Sequence, residues 1–179
     1  AATTPNARTR CRVKSSFTQT RILIGESETA KLGEELSLWA RPGMLVLLQG
    51  DLGSGKSTLA RAFIRALMKQ NQNADIPSPT FSLIQNYDET RIPVFHADLY
   101  RLHNDNEVEE LGFESLLTTH LGLIEWPDRL QRKLADDCLV LSLSGRGAQR
   151  EAELEATGAW AAALQRNYRL KSFIARSPH

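Results

Sequence analysis

The sequence predicts an α/β fold of a single domain, with a mostly parallel central sheet flanked by helices. Three observations predict it. The 179 residues supply one α/β core and too little chain for two ordinary ones. Segments of strand character alternate with segments at helical spacing along most of that length. Met44-Leu45-Val46-Leu47-Leu48 is a continuous apolar run, the pattern of a strand buried on both faces.

The first element is a short strand near Arg21–Gly25. Ser27 stands where it can cap a helix reaching about Trp39, with Leu32, Leu36 and Trp39 at helical spacing. Arg41-Pro42-Gly43 ends that helix. The apolar strand follows, then a helix from Ser57 to about Met68 with Leu59, Phe63, Ile64 and Leu67 facing inward. Further strands are expected at Leu83–Tyr87, Pro93–Ala97, Leu121–Glu125 and Cys138–Leu143, and a last one over Ala152–Ala156. The stretch between Asp98 and Leu121 reads as mostly helical. Gly158 precedes a terminal helix containing Trp160 and Leu164.

Residues 21–170 make up the expected domain, between a basic, flexible leader over 1–20 and a basic tail over 171–179. Arg8, Arg10, Arg12, Lys14 and Arg21, with frequent Ser and Thr and no acid before Glu26, resemble a transit peptide. The plainer reading is a disordered leader or an extended gene start. Cytoplasm is therefore the expected compartment, with an organellar address as the lesser reading. Arg166, Arg169, Lys171 and Arg176 near the other end read as a solvated helix face.

Composition narrows the classes of function. Hydrophobic residues at 41% and charged residues at 24% describe an ordinary globular chain. The net charge of +1 gives no global field for nucleic acid or an anionic membrane. No apolar run approaches the roughly 18–20 residues that span a bilayer. Of the two cysteines, Cys11 lies in the leader and Cys138 opens an apolar run, so no bridge is expected and a reducing compartment fits.

Gly50-Asp51-Leu52-Gly53-Ser54-Gly55-Lys56-Ser57 matches the Walker A pattern G-x-x-x-x-G-K-[ST] at every fixed position. A strand leads in and a helix leads out, as a P-loop requires. The glycines let the backbone curl so that its N–H groups point inward at phosphate oxygens. The helix start adds roughly half a positive charge there. Lys56 is expected to reach the β- and γ-phosphates, and the Ser57 hydroxyl to ligate Mg²⁺. The loop itself specifies neither the nucleotide nor the reaction.

A P-loop needs a carboxylate for its metal, usually at the end of a neighbouring strand. Asp98 ends Val94-Phe95-His96-Ala97-Asp98, and Glu125 ends Leu121-Gly122-Leu123-Ile124-Glu125. One can ligate the metal while the other orients the attacking water. Thr80, in Ser78-Pro79-Thr80-Phe81, stands where P-loop proteins carry a switch residue that senses the γ-phosphate. The chain has no Asn-Lys-x-Asp segment for guanine and no Asp-x-x-Gly switch after the loop, which favours adenine. Three classes remain open: an ATPase, a small-molecule kinase, and a module that holds ATP only as a structural ligand. For the kinase, Asp98-Leu99-Tyr100-Arg101 could serve an acceptor, and Gly145-Arg146-Gly147-Ala148-Gln149-Arg150 could form a short lid. A hairpin turn is the simpler reading of the second stretch.

Five motifs occur together and in order: the P-loop, Ser-Pro-Thr-Phe, His-Ala-Asp-Leu-Tyr-Arg-Leu, Glu-Glu-Leu-Gly-Phe and Ile-Glu-Trp-Pro. In that order and spacing, over about Glu26 to Thr157, the chain resembles the TsaE (YjeE) family. The resemblance implies a P-loop ATPase binding ATP or ADP with Mg²⁺, slow alone and stimulated by protein. It implies a role in threonylcarbamoylation of adenosine at tRNA position 37. TsaD and TsaB would be the partners, and tRNA would be met indirectly through their complex. By motif, Ser57 and Glu125 would hold Mg²⁺, with Asp98 a further acid at the metal or γ-phosphate and Thr80 the switch. The nucleotide would touch Asp51, Leu52, Gly53, Ser54, Gly55, Lys56, Ser57 and Thr58, with Trp126 beside the site. Glu26 aligns with a position near the adenine, and Arg150 with a basic position late in the fold. Ser57-Thr58 replaces the Thr-Thr of many members, a conservative change because both hydroxyls can bind Mg²⁺. The leader and tail have no counterpart in the family pattern.

Overall fold

Strands that are buried on both sides must divide their side chains between two cores, and β2 (Leu45–Gln49) does so. Val46 and Leu48 join one core; Leu45 and Leu47 join the other. The structure is a computed structural model and describes residues 16–70, 75–102, 105–130, 134–145 and 147–174. β1 (Ser16–Ile24), β3 (Ile84–Tyr87), β4 (Val94–Asp98), β5 (Leu121–Glu125), β6 (Cys138–Ser144) and β7 (Gln149–Thr157) complete one sheet with β2. Its order is β1-β7-β6-β2-β5-β4-β3. β2 runs parallel to β5 and β6, and β4 parallel to β5. The pairs β1–β7, β6–β7 and β3–β4 are antiparallel. The sheet is thus parallel in its centre and antiparallel at both margins.

Helices α1 (Gly25–Ser37), α2 (Lys56–Leu67) and α5 (Gly158–Ile174) supply one core with Leu32, Leu36, Phe63, Leu67, Trp160 and Leu164. α4 (Phe113–Leu117) closes the other with Phe113 and Leu117, and Phe113 stacks on Phe95 at 5.4 Å between ring centroids. α3 (Asp105–Glu110) precedes it. The long β2, β4 and β5 burial follows from their apolar runs, because each strand is sandwiched between the two cores.

Three local readings are corrected. The first strand begins at Ser16, not Arg21, because β7 offers a partner to all nine residues of β1. Arg21, read with the basic leader, ties β1 to α1 instead: its Nη1 donates to Glu35 Oε2 at 2.7 Å. Ser27 does not cap α1. The helix starts at Gly25, with Ile24 as N-cap and no side-chain cap, and the Glu28 carboxylate accepts the Ile24 N–H. The last strand spans Gln149–Thr157, longer than expected, for the same pairing reason as β1. The basic positions Arg8, Arg10, Arg12, Lys14 and Arg176, together with Cys11, lie outside the described residues.

Candidate active site

Parallel register brings three segments to one edge. Glu125 pairs with Leu48 of β2 on one side and with Asp98 of β4 on the other. Two strand-end acids and the loop that follows β2 therefore share the carboxyl edge of the sheet, the usual place for ligands in such folds. The loop turns at Gly50 with φ 137°, where an added Cβ would stand 2.3 Å from the Leu143 carbonyl oxygen. Only glycine fits there. α2 begins straight after Gly55, which has φ 106°. That helix start has no side-chain cap and no acid in its first turn, so its free N–H groups are left for an anion.

A cavity of about 360 Å³ opens over this loop. From the loop and α2 it is lined by Leu52, Gly53, Gly55, Lys56, Ser57 and Thr58. From the other elements come Glu26, Thr80, Asp98, Glu125, Trp126 and Arg150. Asp51 and Ser54 belong to the loop but do not line the cavity. The Asp51 carbonyl accepts a hydrogen bond from Lys56, and the Ser54 hydroxyl is buried without a partner.

Lys56 is buried, and its Nζ donates to the carbonyls of Gly50 at 2.6 Å and Asp51 at 2.8 Å. It also lies 4.1 Å from the centroid of the Trp126 ring. Burial lowers its pKa from the ordinary lysine value, against the opposing pull of Glu125, Asp98 and Asp51. Trp126 reaches this place from a left-handed backbone with φ 59°, and Tyr100 packs on it at 4.9 Å.

The two acids are held by different partners. Glu125 Oε2 accepts from the Ser57 hydroxyl at 2.9 Å, and Oε1 faces His96 Nε2 at 2.9 Å. Asp98 Oδ2 accepts from Thr80 Oγ1 at 3.0 Å, and Oδ1 accepts the Tyr100 backbone N–H at 3.0 Å. Ser78 and Thr80 share a hydrogen bond of 2.9 Å. Arg150, 9% exposed, donates from Nη1 to the Gly147 carbonyl and leaves its buried Nε unpartnered beside the loop.

Sequence reasoning gave no role to His96, Ser78 and Arg61, of which the last two line the cavity; Tyr100, read only within a possible kinase acceptor stretch, lines it as well. His96 had a signal: it stands two residues before Asp98, on the same face of one strand. The stretch Gly145–Arg150 is the turn between β6 and β7 and the start of β7, rather than a lid; Arg146 lies outside the described residues. Arg101 leaves the cavity lining and stacks its guanidinium 4.5 Å from the ring of Phe81, which is 86% exposed. Among the described residues no helix is long and apolar enough to cross a membrane.

The family model described as threonylcarbamoyl adenosine biosynthesis protein TsaE matches residues 23–153, well over half of the chain. A Rickettsia felis protein named tRNA threonylcarbamoyladenosine biosynthesis protein TsaE is 41% identical over 122 residues, covering 68% of this chain and 70% of the relative. A Nostoc protein of the same name is 36% identical, covering 75% and 85%. The crystal structure of Bacillus subtilis YdiB superposes with a TM-score of 0.70 at 21% identity, covering 89% of this chain and 99% of that one, which shows a shared fold. With the phosphate loop, both strand-end acids and Trp126 inside the matched span, the chain belongs to the TsaE family.

Proposed function

We infer that this chain is the ATP-binding and ATP-hydrolysing subunit of tRNA N6-threonylcarbamoyladenosine synthesis at position 37, working in the bacterial cytoplasm with TsaD and TsaB. The observation that carries the reading is the convergence of Lys56, the Ser57–Glu125 pair and the Thr80–Asp98 pair on one cavity at the P-loop. Family membership and the TsaE names of the relatives support the pathway.

The donor set fits Mg²⁺. The Ser57 hydroxyl and a Glu125 carboxylate oxygen converge to 2.9 Å, and both are hard oxygen ligands. Mg²⁺ is typically held by one or two such groups, with phosphates and waters filling the remaining positions. When bound, the ion would neutralise charge on the β- and γ-phosphates. Lys56 would exchange its two loop carbonyls for phosphate oxygens, a favourable trade because the ligand brings full negative charge. Asp98 would orient the water that attacks the γ-phosphate, and Thr80, already bonded to Asp98, would report the state of that phosphate to the Ser78–Phe81 loop. Glu26 and Arg150, at the cavity wall beyond Gly55, would face the nucleoside end.

The experiment is a pair of assays on Lys56→Ala. Isothermal titration with ATP should show weakened binding, or turnover should fall by about 10²–10³, the scale of losing one electrostatic stabiliser. Wild-type behaviour in both assays would remove the site.

A further inference from the structure

His96 is fully buried in the middle of a strand whose other members are apolar or belong to the site. Its Nε2 lies 2.9 Å from Glu125 Oε1, while Glu125 Oε2 takes the Ser57 hydroxyl. An ionised carboxylate can only accept, so the ring presents an N–H at Nε2 to Glu125. The ring's Nδ1 is buried with no hydrogen-bond partner. Leaving a buried polar atom unsatisfied costs stability. An apolar residue would fill the strand position without that cost, so packing alone does not account for a histidine. The use of the ring lies at its other nitrogen.

We propose that His96 is a positioning residue for the metal site: its Nε2–H holds Glu125 Oε1 and so fixes the rotation of the carboxylate that turns Oε2 towards Ser57. The inference rests on the reading that Ser57 and Glu125 hold Mg²⁺. Without the histidine, Glu125 would be anchored by Ser57 alone, the very group whose oxygen is needed by the ion. The carboxylate would then be free to turn away from the ligand direction. Partners that orient a metal's ligands in this way are typically worth 10- to 100-fold in metal affinity.

The test uses the full chain with ADP and Mn²⁺, read by the electron paramagnetic resonance signal of free Mn²⁺, alongside ADP titration in EDTA. In His96→Leu, Mn²⁺ affinity in the presence of ADP should fall about 10- to 100-fold while metal-free ADP affinity stays within about twofold. His96→Gln, whose amide N–H can occupy the place of Nε2–H, should recover most of the loss. His96→Asn, with the same amide on a shorter stem, should not, and this pair decides the matter even if His96→Leu does not fold. Wild-type Mn²⁺ affinity in His96→Leu, or equal behaviour of Gln and Asn, would overturn the assignment. So would a parallel loss of metal-free ADP binding. Glu125→Gln separates the two readings. If it fails to bind Mn²⁺ while His96→Leu is normal, the metal site stands and the role of His96 falls. If it binds Mn²⁺–ADP like wild type, the metal-site reading falls and takes this one with it.

Discussion

The two acids at the strand ends differ in what already holds them, and their variants should differ accordingly. Glu125 is tied to Ser57, the hydroxyl that follows the P-loop lysine, whereas Asp98 is tied to Thr80 and to the backbone of Tyr100. Glu125→Ala should weaken Mg²⁺-dependent nucleotide binding. Asp98→Ala should leave ADP binding near wild type and cut turnover, on the order of 10²-fold for a lost proton-directing group. Mg²⁺ titrations and hydrolysis rates that coincide for the two variants would end this division of labour. Trp126 gives a second residue-scale prediction. Its ring covers the Lys56 ammonium at 4.1 Å, so any ligand that draws the lysine away changes the field on the indole. Nucleotide should alter tryptophan fluorescence, and Trp126→Phe should abolish most of the change, since Trp39 and Trp160 pack with the core around α1, α2 and α5. A full signal in that variant would place the reporter elsewhere. Lys56, Ser57, Glu125, Asp98 and Thr80 were all legible because each sits in a short motif with its own chemistry. His96 was only half legible: its place two residues before Asp98 puts it on the same face of β4, but nothing local names the carboxylate it meets 29 residues later.

At the scale of elements, what was legible depended on burial. The strands around the site, and α2 with its inward Leu59, Phe63 and Ile64, fell within a residue or so of expectation because apolar pattern and location agree. β1 was only partly legible. Its burial alternates between exposed and intermediate over most of its length, and Ile22 and Ile24 are half exposed, so the hydrophobic alternation that marks a strand is faint there. The pairing that lengthens it lies with β7, at the far end of the sequence. The start of α1 misled for a different reason: a serine near a helix start is a good cap only if the chain turns there, and it turns two residues earlier at Gly25. The crossing of α1 over α2 carries a prediction of its own. An added Cβ on Gly33 would stand 2.5 Å from the Leu59 carbonyl oxygen and 3.2 Å from the Phe63 nitrogen. Both atoms are helix backbone and cannot rotate away. Gly33→Ala should therefore force the two helices apart and destabilise the chain by about 1–3 kcal/mol, despite the better helix propensity of alanine. Thermal unfolding measures it, and an unchanged or raised midpoint would show that the helices can separate at no cost.

At the scale of the whole molecule, the cavity gathers a phosphate loop, hydroxyls and two acids, while the arginines described around it are engaged with other groups: Arg61, on its lining, donates from Nε to the Ser57 carbonyl at 3.1 Å. Arg150 sits on the wall near Gly55 with one guanidinium nitrogen bonded to Gly147, and Arg101 is stacked on Phe81 outside the cavity. Among the described residues none of these arginines is hydrogen-bonded to Thr80 or Asp98, where charge would develop on the γ-phosphate. A cation supplied by another protein at such a position is worth roughly 10³–10⁵ in phosphoryl transfer. Phe81 belongs to the same loop as Ser78 and Thr80 and is 86% exposed, so a protein that covers it would also fix the loop that contacts Asp98. Either route makes the stimulus a macromolecule, whereas a kinase would be stimulated by a small acceptor. ATP hydrolysis by this chain should thus be slow alone and rise when TsaD and TsaB are added together. Repeated rounds of tRNA modification should need Lys56 intact. Phe81→Ser should blunt the rise, because it removes exposed apolar surface from the loop that a partner would cover. Phosphorylation of a metabolite with no response to TsaD and TsaB would refute the subunit role, and full stimulation of Phe81→Ser would move the docking surface away from this loop.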